Sequence, residues 1–279
     1  MFNHKPVRPI DYLVIGHITQ DLNSAGKSIG GTAAYAARTA NALGCKVGVV
    51  TACAEIPESD LLDGVDIYNI GASRSTTFSN LNTSAGRIQT VHHTAPQIKY
   101  HHIPEVWRAA PVVHLGPVLH EIDHNIVRNF PDSKIFITPQ GWFRNRDEDG
   151  LISFAEWPEA NFVLNRCQAA VLSIEDLNNN EKYAEQLARS ISLLVITKGS
   201  DGADMYREGF KRHFTVEKKE ELDSTGAGDI FASSFFIHYI QNNDPAEAVN
   251  FALQIAADSV KREGLAGAPS KNDLFQKLS

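Results

Sequence analysis

The sequence predicts an α/β fold in three layers, a mostly parallel central sheet flanked by helices, with a β-hairpin interrupting the alternation. Three observations carry this expectation. Short apolar runs of strand length alternate with longer helical segments, the pattern of β–α–β units. Glycines stand where strands hand over to helices. One polar, β-prone stretch, Asn69 to Ile103, interrupts the alternation.

The first strand is Tyr12 to Ile15, an apolar run closed by Gly16. Gly30-Gly31 then opens an alanine-rich helix from Thr32 to Leu43, ended by Gly44, whose small side chains suit close packing on a sheet. Val47 to Thr51 is the next strand, and Val112–Leu115, Lys134–Thr138, Val171–Ser173 and Leu193–Thr197 continue the series. Further helices are expected over Ile122–Asn129, Glu181–Ser190, Gly228–Gln241 and Pro245–Arg262, the last with Pro245 in its first turn and Gly264 just beyond its end. Within the interrupting stretch, Thr76–Leu81 and Arg87–Val91 flank a turn at Ser84-Ala85-Gly86 and read as a hairpin.

Composition narrows the function. The chain has 279 residues, 43% hydrophobic and 21% charged, enough for a sizeable core, and a net charge of −7 that argues against a nucleic-acid binder working through a basic face. Cys45, Cys53 and Cys167 show no metal-site or disulfide spacing and suit a cytoplasmic location. No run approaches the ~18–20 apolar residues of a membrane span, so no membrane partner is expected. Gly26-Lys27-Ser28 imitates the end of a P-loop, but that motif requires glycine where this chain has Asp21. His92, His93, His101 and His102 invite a metal reading; adjacent residues on a strand face opposite sides, which disfavours it.

The chemistry concentrates at Asp223-Ser224-Thr225-Gly226-Ala227-Gly228-Asp229, which runs into the apolar Ile230–Phe236. Glycines at a loop-to-helix junction let backbone N–H groups converge, and the helix start adds unpaired donors and a positive dipole end, so the place suits a phosphate or a developing oxyanion. Anion binding alone would not favour the carboxylate of Asp229. It reads either as a base that takes a proton from a hydroxyl nucleophile or as an ordinary acidic residue at a helix start.

This motif resembles the C-terminal signature of the ribokinase (PfkB) family of carbohydrate kinases. Ile29-Gly30-Gly31-Thr32-Ala33-Ala34-Tyr35 is similar to the family's N-terminal glycine-pair signature, and Thr197-Lys198-Gly199-Ser200-Asp201-Gly202 resembles its nucleotide loop. The resemblance implies one ribokinase-like kinase domain over residues 1–279, with lid segments near 17–30 and 69–103. It implies Asp229 as catalytic base beside an anion hole at Gly226, Ala227 and Gly228. ATP would lie on Thr197, Gly199, Ser200, Gly202, Gly226 and Gly228. Mg2+ is implied as a cofactor, with a monovalent cation as a further candidate. A homodimer through the lid is a candidate assembly.

At the substrate end, Asp21 either accepts from vicinal hydroxyls, as the resemblance implies, or forms a turn in a polar loop. Gly30 and Gly31 would let the chain pass close to the substrate. Gln140 and Arg144, in Thr138-Pro139-Gln140-Gly141-Trp142-Phe143-Arg144, follow a strand end and resemble a Gln-Gly-x-x-Arg run of the plant myo-inositol-kinase-like branch; they contact substrate, or Arg144 pairs with Asp147 or Glu148. Two departures stand out. Tyr35 replaces a substrate-binding Asn of many relatives, and Ser173-Ile174-Glu175-Asp176 replaces an Asn-x-x-Glu motif that orders magnesium through water, leaving Asp176 as its candidate with Glu175 as competitor. The adenine ring is expected against Ala252–Val260 and the loop Gly264–Ala268. The expected activity is ATP-dependent phosphorylation of a small sugar or polyol, a cyclitol such as myo-inositol among them. The alternatives are a vitamin-type or nucleoside kinase of the same superfamily, and a non-catalytic nucleotide- or sugar-binding pseudokinase.

Overall fold

The computed structural model describes residues 7–23, 26–83 and 86–278. The elements follow in order: β1 (Tyr12–Ile15), β2 (Thr19–Asn23), β3 (Gly26–Gly30), α1 (Thr32–Ala42), β4 (Val47–Thr51), β5 (Val65–Asn69), β6 (Thr77–Thr83), β7 (Gly86–His93), β8 (Val112–Leu115) and β9 (Lys134–Ile137). There follow β10 (Arg144–Arg146), β11 (Ile152–Phe154), α2 (Ala160–Leu164), β12 (Ala169–Ser173), α3 (Glu181–Ala188), β13 (Leu193–Thr197), β14 (Ala203–Arg207), β15 (Phe210–Phe214), α4 (Ala227–Asn242), α5 (Pro245–Ser259) and α6 (Lys271–Leu278).

Nine strands form the central sheet in the order β15-β14-β13-β12-β9-β8-β1-β4-β5. From β13 to β5 all neighbours are parallel, and β14 and β15 close one edge antiparallel. The inner strands β1, β4, β12 and β13 are almost wholly apolar because both faces are covered. Along β1, Tyr12 and Val14 pack into the core beneath α1, α4 and α5, while Leu13 and Ile15 enter the opposite core with Trp142, Val163 and Leu187. The period of two thus divides one short strand between two cores.

A second sheet, ordered β3-β2-β6-β7, stands beside the C-terminal ends of these strands. β6 and β7 are the expected hairpin, and β2 pairs antiparallel with β3 and parallel with β6. Ser84 and Ala85 of the expected turn lie outside the described residues. Its root is pinned by polar groups. The imidazole of His17, fully buried, bonds Thr76 Oγ1 at 2.8 Å and Pro96 O at 3.0 Å. The buried carboxylate of Glu121 accepts from the N–H groups of His17 (3.2 Å), Val118 (2.9 Å) and Leu119 (2.7 Å).

The structure corrects some expected boundaries. The helix expected over Ile122–Asn129 is a 3-10 segment, His124–Asn129, started by an Asp123 side chain that accepts from Asn125 N–H. Short i→i+3 turns of this kind commonly serve as connectors. The last long helix stops at Ser259 rather than Arg262. Among the described residues no helix is long and apolar enough to cross a membrane.

Candidate active site

The C-terminal ends of β9, β12 and β13 open onto one cleft of about 1110 Å³, where open α/β sheets collect ligands. The second sheet presents Asp21, Phe78 and Gln89 to one end. The Lys198–Gly202 loop and the apolar residues Val216, Leu253, Ala256, Ala257 and Val260 line the other.

Between them lies the start of α4. Asp223 braces the approach, accepting from Thr225 N–H at 2.9 Å and from Gly264 N–H at 2.7 Å through its two oxygens. Gly226 turns the chain at φ 79°, a left-handed conformation that favours glycine. No side chain caps the helix, and a Cβ placed on Gly228 would meet nothing within 4 Å, so backbone lies bare toward the cleft. First-turn N–H groups in such a place are anion donors. Asp229 sits in that first turn, with its carboxylate near the positive end of the helix dipole.

The Asp229 carboxylate meets groups from two distant segments. Thr32 Oγ1, on the first residue of α1, donates to Asp229 Oδ1 at 2.8 Å. Gln140 Nε2 reaches Thr32 Oγ1 at 2.7 Å and Asp229 Oδ1 at 3.4 Å, while Gln140 Oε1 accepts from Arg144 Nη2 at 3.1 Å. Arg144 also donates to Val118 O at 2.8 Å, and its guanidinium carbon stands 5.8 Å from the ring centre of Phe78. Asp147, one partner considered for Arg144, turns its carboxylate to the N–H groups of Asp149 and Leu151.

At the end beside the second sheet, Asp21 lines the cleft and accepts from Thr19 Oγ1 at 3.2 Å. Gly30 does not line the cleft; its bare Cα makes room for Asp21, since a Cβ there would fall 2.5 Å from Asp21 Oδ2. Gly31, at φ 86°, lets the chain pass His17 O, which a Cβ would approach to 2.4 Å. Tyr35 is buried, 2% exposed, with its ring against Gly226.

At the other end, Gly199 and Gly202 adopt φ of 56° and 92°, shaping the turn after β13. Thr197, Gly199, Ser200 and Gly202 all line the cleft. Lys198 in the same loop is held at 2.8 Å from Asp204 and 2.6 Å from Glu181. Burial alone would raise the Asp204 carboxyl, but hydrogen bonds from Lys198, His213 and Lys211 outweigh it and hold it below its ordinary value. The loop Gly264–Ala268 is absent from the cleft lining; Leu265 and Ala268 are buried, and the apolar wall at this end comes from Val216, α5 and the adjoining Val260.

Asp176 Oδ2 accepts from Ser173 N–H at 2.9 Å and Ser173 Oγ from Glu175 N–H at 3.2 Å, so this segment folds on itself at the cleft wall. Among the described residues no three His, Cys, Asp or Glu are grouped to hold a metal ion. Glu175 and Asp176 both line the cleft, and two such carboxylates would suit a hydrated ion carried by phosphates.

The structure thus brings Asp21, Gly31, Gln140, Arg144, Asp176 and Asp229 together with the glycine loops. Thr32, Phe78 and Glu121 were missed by sequence reasoning. Thr32 carried a readable signal, as the residue directly after the glycine pair; Phe78 and Glu121 carried none.

A mostly parallel sheet flanked by helices, with a second small sheet beside the cleft, is a ribokinase-like fold. The profile of the pfkB family of carbohydrate kinases matches residues 151–272 of this chain. It is similar to a cytidine kinase of Thermococcus kodakarensis, 23% identical over 278 residues that cover 91% of this chain and 98% of the relative. A fructokinase-2 of Zea mays is 28% identical over 96 residues, covering 34% of this chain and 28% of that protein. Among solved structures, a pyrophosphate-dependent kinase in the ribokinase family, complexed with a pyrophosphate analog and myo-inositol, superposes with a TM-score of 0.80 at 19% identity, over 95% of this chain and 99% of that one. Arabidopsis thaliana ribokinase, complexed with ribose and ATP, superposes with a TM-score of 0.72 at 16% identity, over 98% and 99%.

Proposed function

We propose that this protein is an ATP-dependent kinase of small ring polyols, a cyclitol first among them, with Asp229 as general base. The observation that carries this is the carboxylate of Asp229 in the first turn of α4, beside the bare Gly226–Gly228 backbone and in the same cleft as Asp21. The terminal phosphoryl group of the donor lies at the helix start. Asp21 receives the substrate's hydroxyls at the lid end, where Gln140 and Arg144 border the site. Asp229 takes the proton of the reacting hydroxyl as its oxygen bonds to phosphorus; the bond from phosphorus to the bridging oxygen breaks, and ADP leaves with that electron pair. Magnesium, when bound on the phosphates and oriented through water by Asp176, supplies neutralising charge.

Two features support the choice of ligands. The apolar wall of Val216, Leu253, Ala256, Ala257 and Val260 suits a flat base, which favours ATP over pyrophosphate as donor. The buried Tyr35 leaves no amide at the position where the family resemblance implies a substrate-binding Asn, and a structural neighbour was solved with myo-inositol. The second sheet acts as a lid, and the cross-strand pair Leu81 and Ile88, 63% and 44% exposed, is its contact for a second copy.

The tests are a substrate panel and one substitution. kcat/KM for myo-inositol, cytidine, ribose and fructose, each with ATP and with pyrophosphate, is expected to be highest for myo-inositol with ATP. Preference for ribose or cytidine overturns the cyclitol assignment, and preference for pyrophosphate overturns the donor. Asp229→Asn keeps a side chain that tolerates helix starts but removes the proton acceptor. Its kcat is expected to fall ~10²–10⁴-fold, the usual worth of a general base, with little change in Tm.

A further inference from the structure

We infer that Thr32 and Gln140 are positioning residues for the base: a one-way chain of hydrogen bonds, Arg144 to Gln140 to Thr32 to Asp229, fixes the Asp229 carboxylate and ties it to the lid. The inference rests on Asp229 being the base.

The direction of each link follows from donor chemistry. A guanidinium only donates, so the 3.1 Å contact with Arg144 Nη2 requires the oxygen of the Gln140 amide to face it. The amide therefore turns its NH2 to Thr32 Oγ1 at 2.7 Å and to Asp229 Oδ1 at 3.4 Å. With its oxygen accepting from Gln140, the Thr32 hydroxyl directs its own proton to Asp229 Oδ1 at 2.8 Å. Every bond points the same way, from a fixed cation to a carboxylate, an arrangement in which each bond polarises the next.

Packing holds the links in place. A Cβ on Gly116 would lie 2.4 Å from the Thr32 methyl carbon, so Thr32 rests directly on bare backbone. A β-branched side chain in a helix has few allowed rotamers, and this contact selects the one that aims the hydroxyl at Asp229. Thr32 is fully buried. At the far end, Arg144 stands over the Phe78 ring of the lid at 5.8 Å and begins β10. β10 pairs with β11, and the turn between them joins lid strand β7 through Val91 N–H to Gly150 O at 2.8 Å. The strand that covers the substrate and the residue that orients the base are thereby one mechanical unit. Gln140 and Arg144 act on the reaction through Asp229, beyond any contact of their own with the substrate.

The test is steady-state kinetics on Thr32→Val, Thr32→Ser, Gln140→Leu, the double variant Thr32→Val/Gln140→Leu, and Asp229→Asn, each checked for folding by thermal melting. Thr32→Val is nearly isosteric and removes only the hydroxyl. Its kcat is expected to fall ~10–100-fold, the scale of a small misplacement of reacting groups, with KM for the polyol nearly unchanged. Thr32→Ser is expected to recover most of that loss. The double variant is expected to lose little more than Thr32→Val, because both changes cut one chain. Wild-type kcat in Thr32→Val, a loss confined to KM, or multiplying losses in the double variant would overturn the inference. If Asp229→Asn turns over at the wild-type rate, the base assignment itself fails; if Asp229→Asn is inactive while Thr32→Val is not, only the chain fails.

Discussion

The ring of Tyr35 lies so close to Gly226 that a Cβ on that glycine would stand 2.3 Å from ring carbon Cδ1. One residue belongs to the helix after the first glycine pair, the other to the loop before α4, and the two signatures meet through this contact. Tyr35 therefore packs directly on the turn that opens α4. An Asn at position 35 would leave part of that volume empty.

Gly226→Ala meets two independent objections. The side chain would overlap Tyr35, and φ of 79° is a left-handed conformation. Overpacking costs about 1–3 kcal/mol and the left-handed conformation about 1–2 kcal/mol for a non-glycine residue. We expect a destabilised protein in urea unfolding, together with a fall in kcat as the anion turn shifts. A variant of unchanged stability and activity would show that the turn tolerates displacement.

Glu121→Gln probes the root of the lid. The carboxylate accepts three backbone N–H groups in a buried site, and an amide must turn its NH2 toward at least one of those donors. Leaving a buried donor unsatisfied costs about 1–3 kcal/mol. We expect a lower urea midpoint and faster hydrogen exchange at His17, Val118 and Leu119. Unaltered exchange at these amides would remove Glu121 from the lid's anchorage.

The buried imidazole of His114 makes stability depend on pH. It lies between Tyr12 Oη and Thr138 Oγ1, each at 3.0 Å, and burial drives it from an ordinary value of 6.5 down to about 3. Between those values the unfolded chain holds a proton on this side chain that the folded chain does not. Stability is therefore expected to be full above ~6.5 and to decline as pH falls, by up to about 1.4 kcal/mol per pH unit from this group. Comparing urea unfolding of the wild type and His114→Gln from pH 7.5 to pH 4.5 isolates the contribution. Parallel profiles would exclude it.

The sequence by itself determined the parallel strands and the start of α4. Tyr12–Ile15, Val47–Thr51, Val112–Leu115 and Leu193–Thr197 were legible to the residue, because strands buried on both faces must be continuously apolar. The Gly226–Asp229 junction was legible because a left-handed turn into a helix is a local requirement that only a few residue types meet. The antiparallel edge was not. In β15, Phe210 to His213 are exposed, so no apolar run marks the strand, and its pairing with β14 is decided by the neighbouring chain. The site divides in the same way. Asp21, Gln140, Arg144 and Asp229 could be picked out from their local motifs, but their partners could not. Thr32 and Asp229 are separated by 197 residues, and Gln140 and Thr32 by 108. Local preferences act over a few residues, whereas a hydrogen bond at 2.8 Å between such distant groups exists only after the sheet has brought α1, α4 and the turn following β9 to one edge. What each residue can donate or accept was written in the chain; to whom it does so was decided by packing.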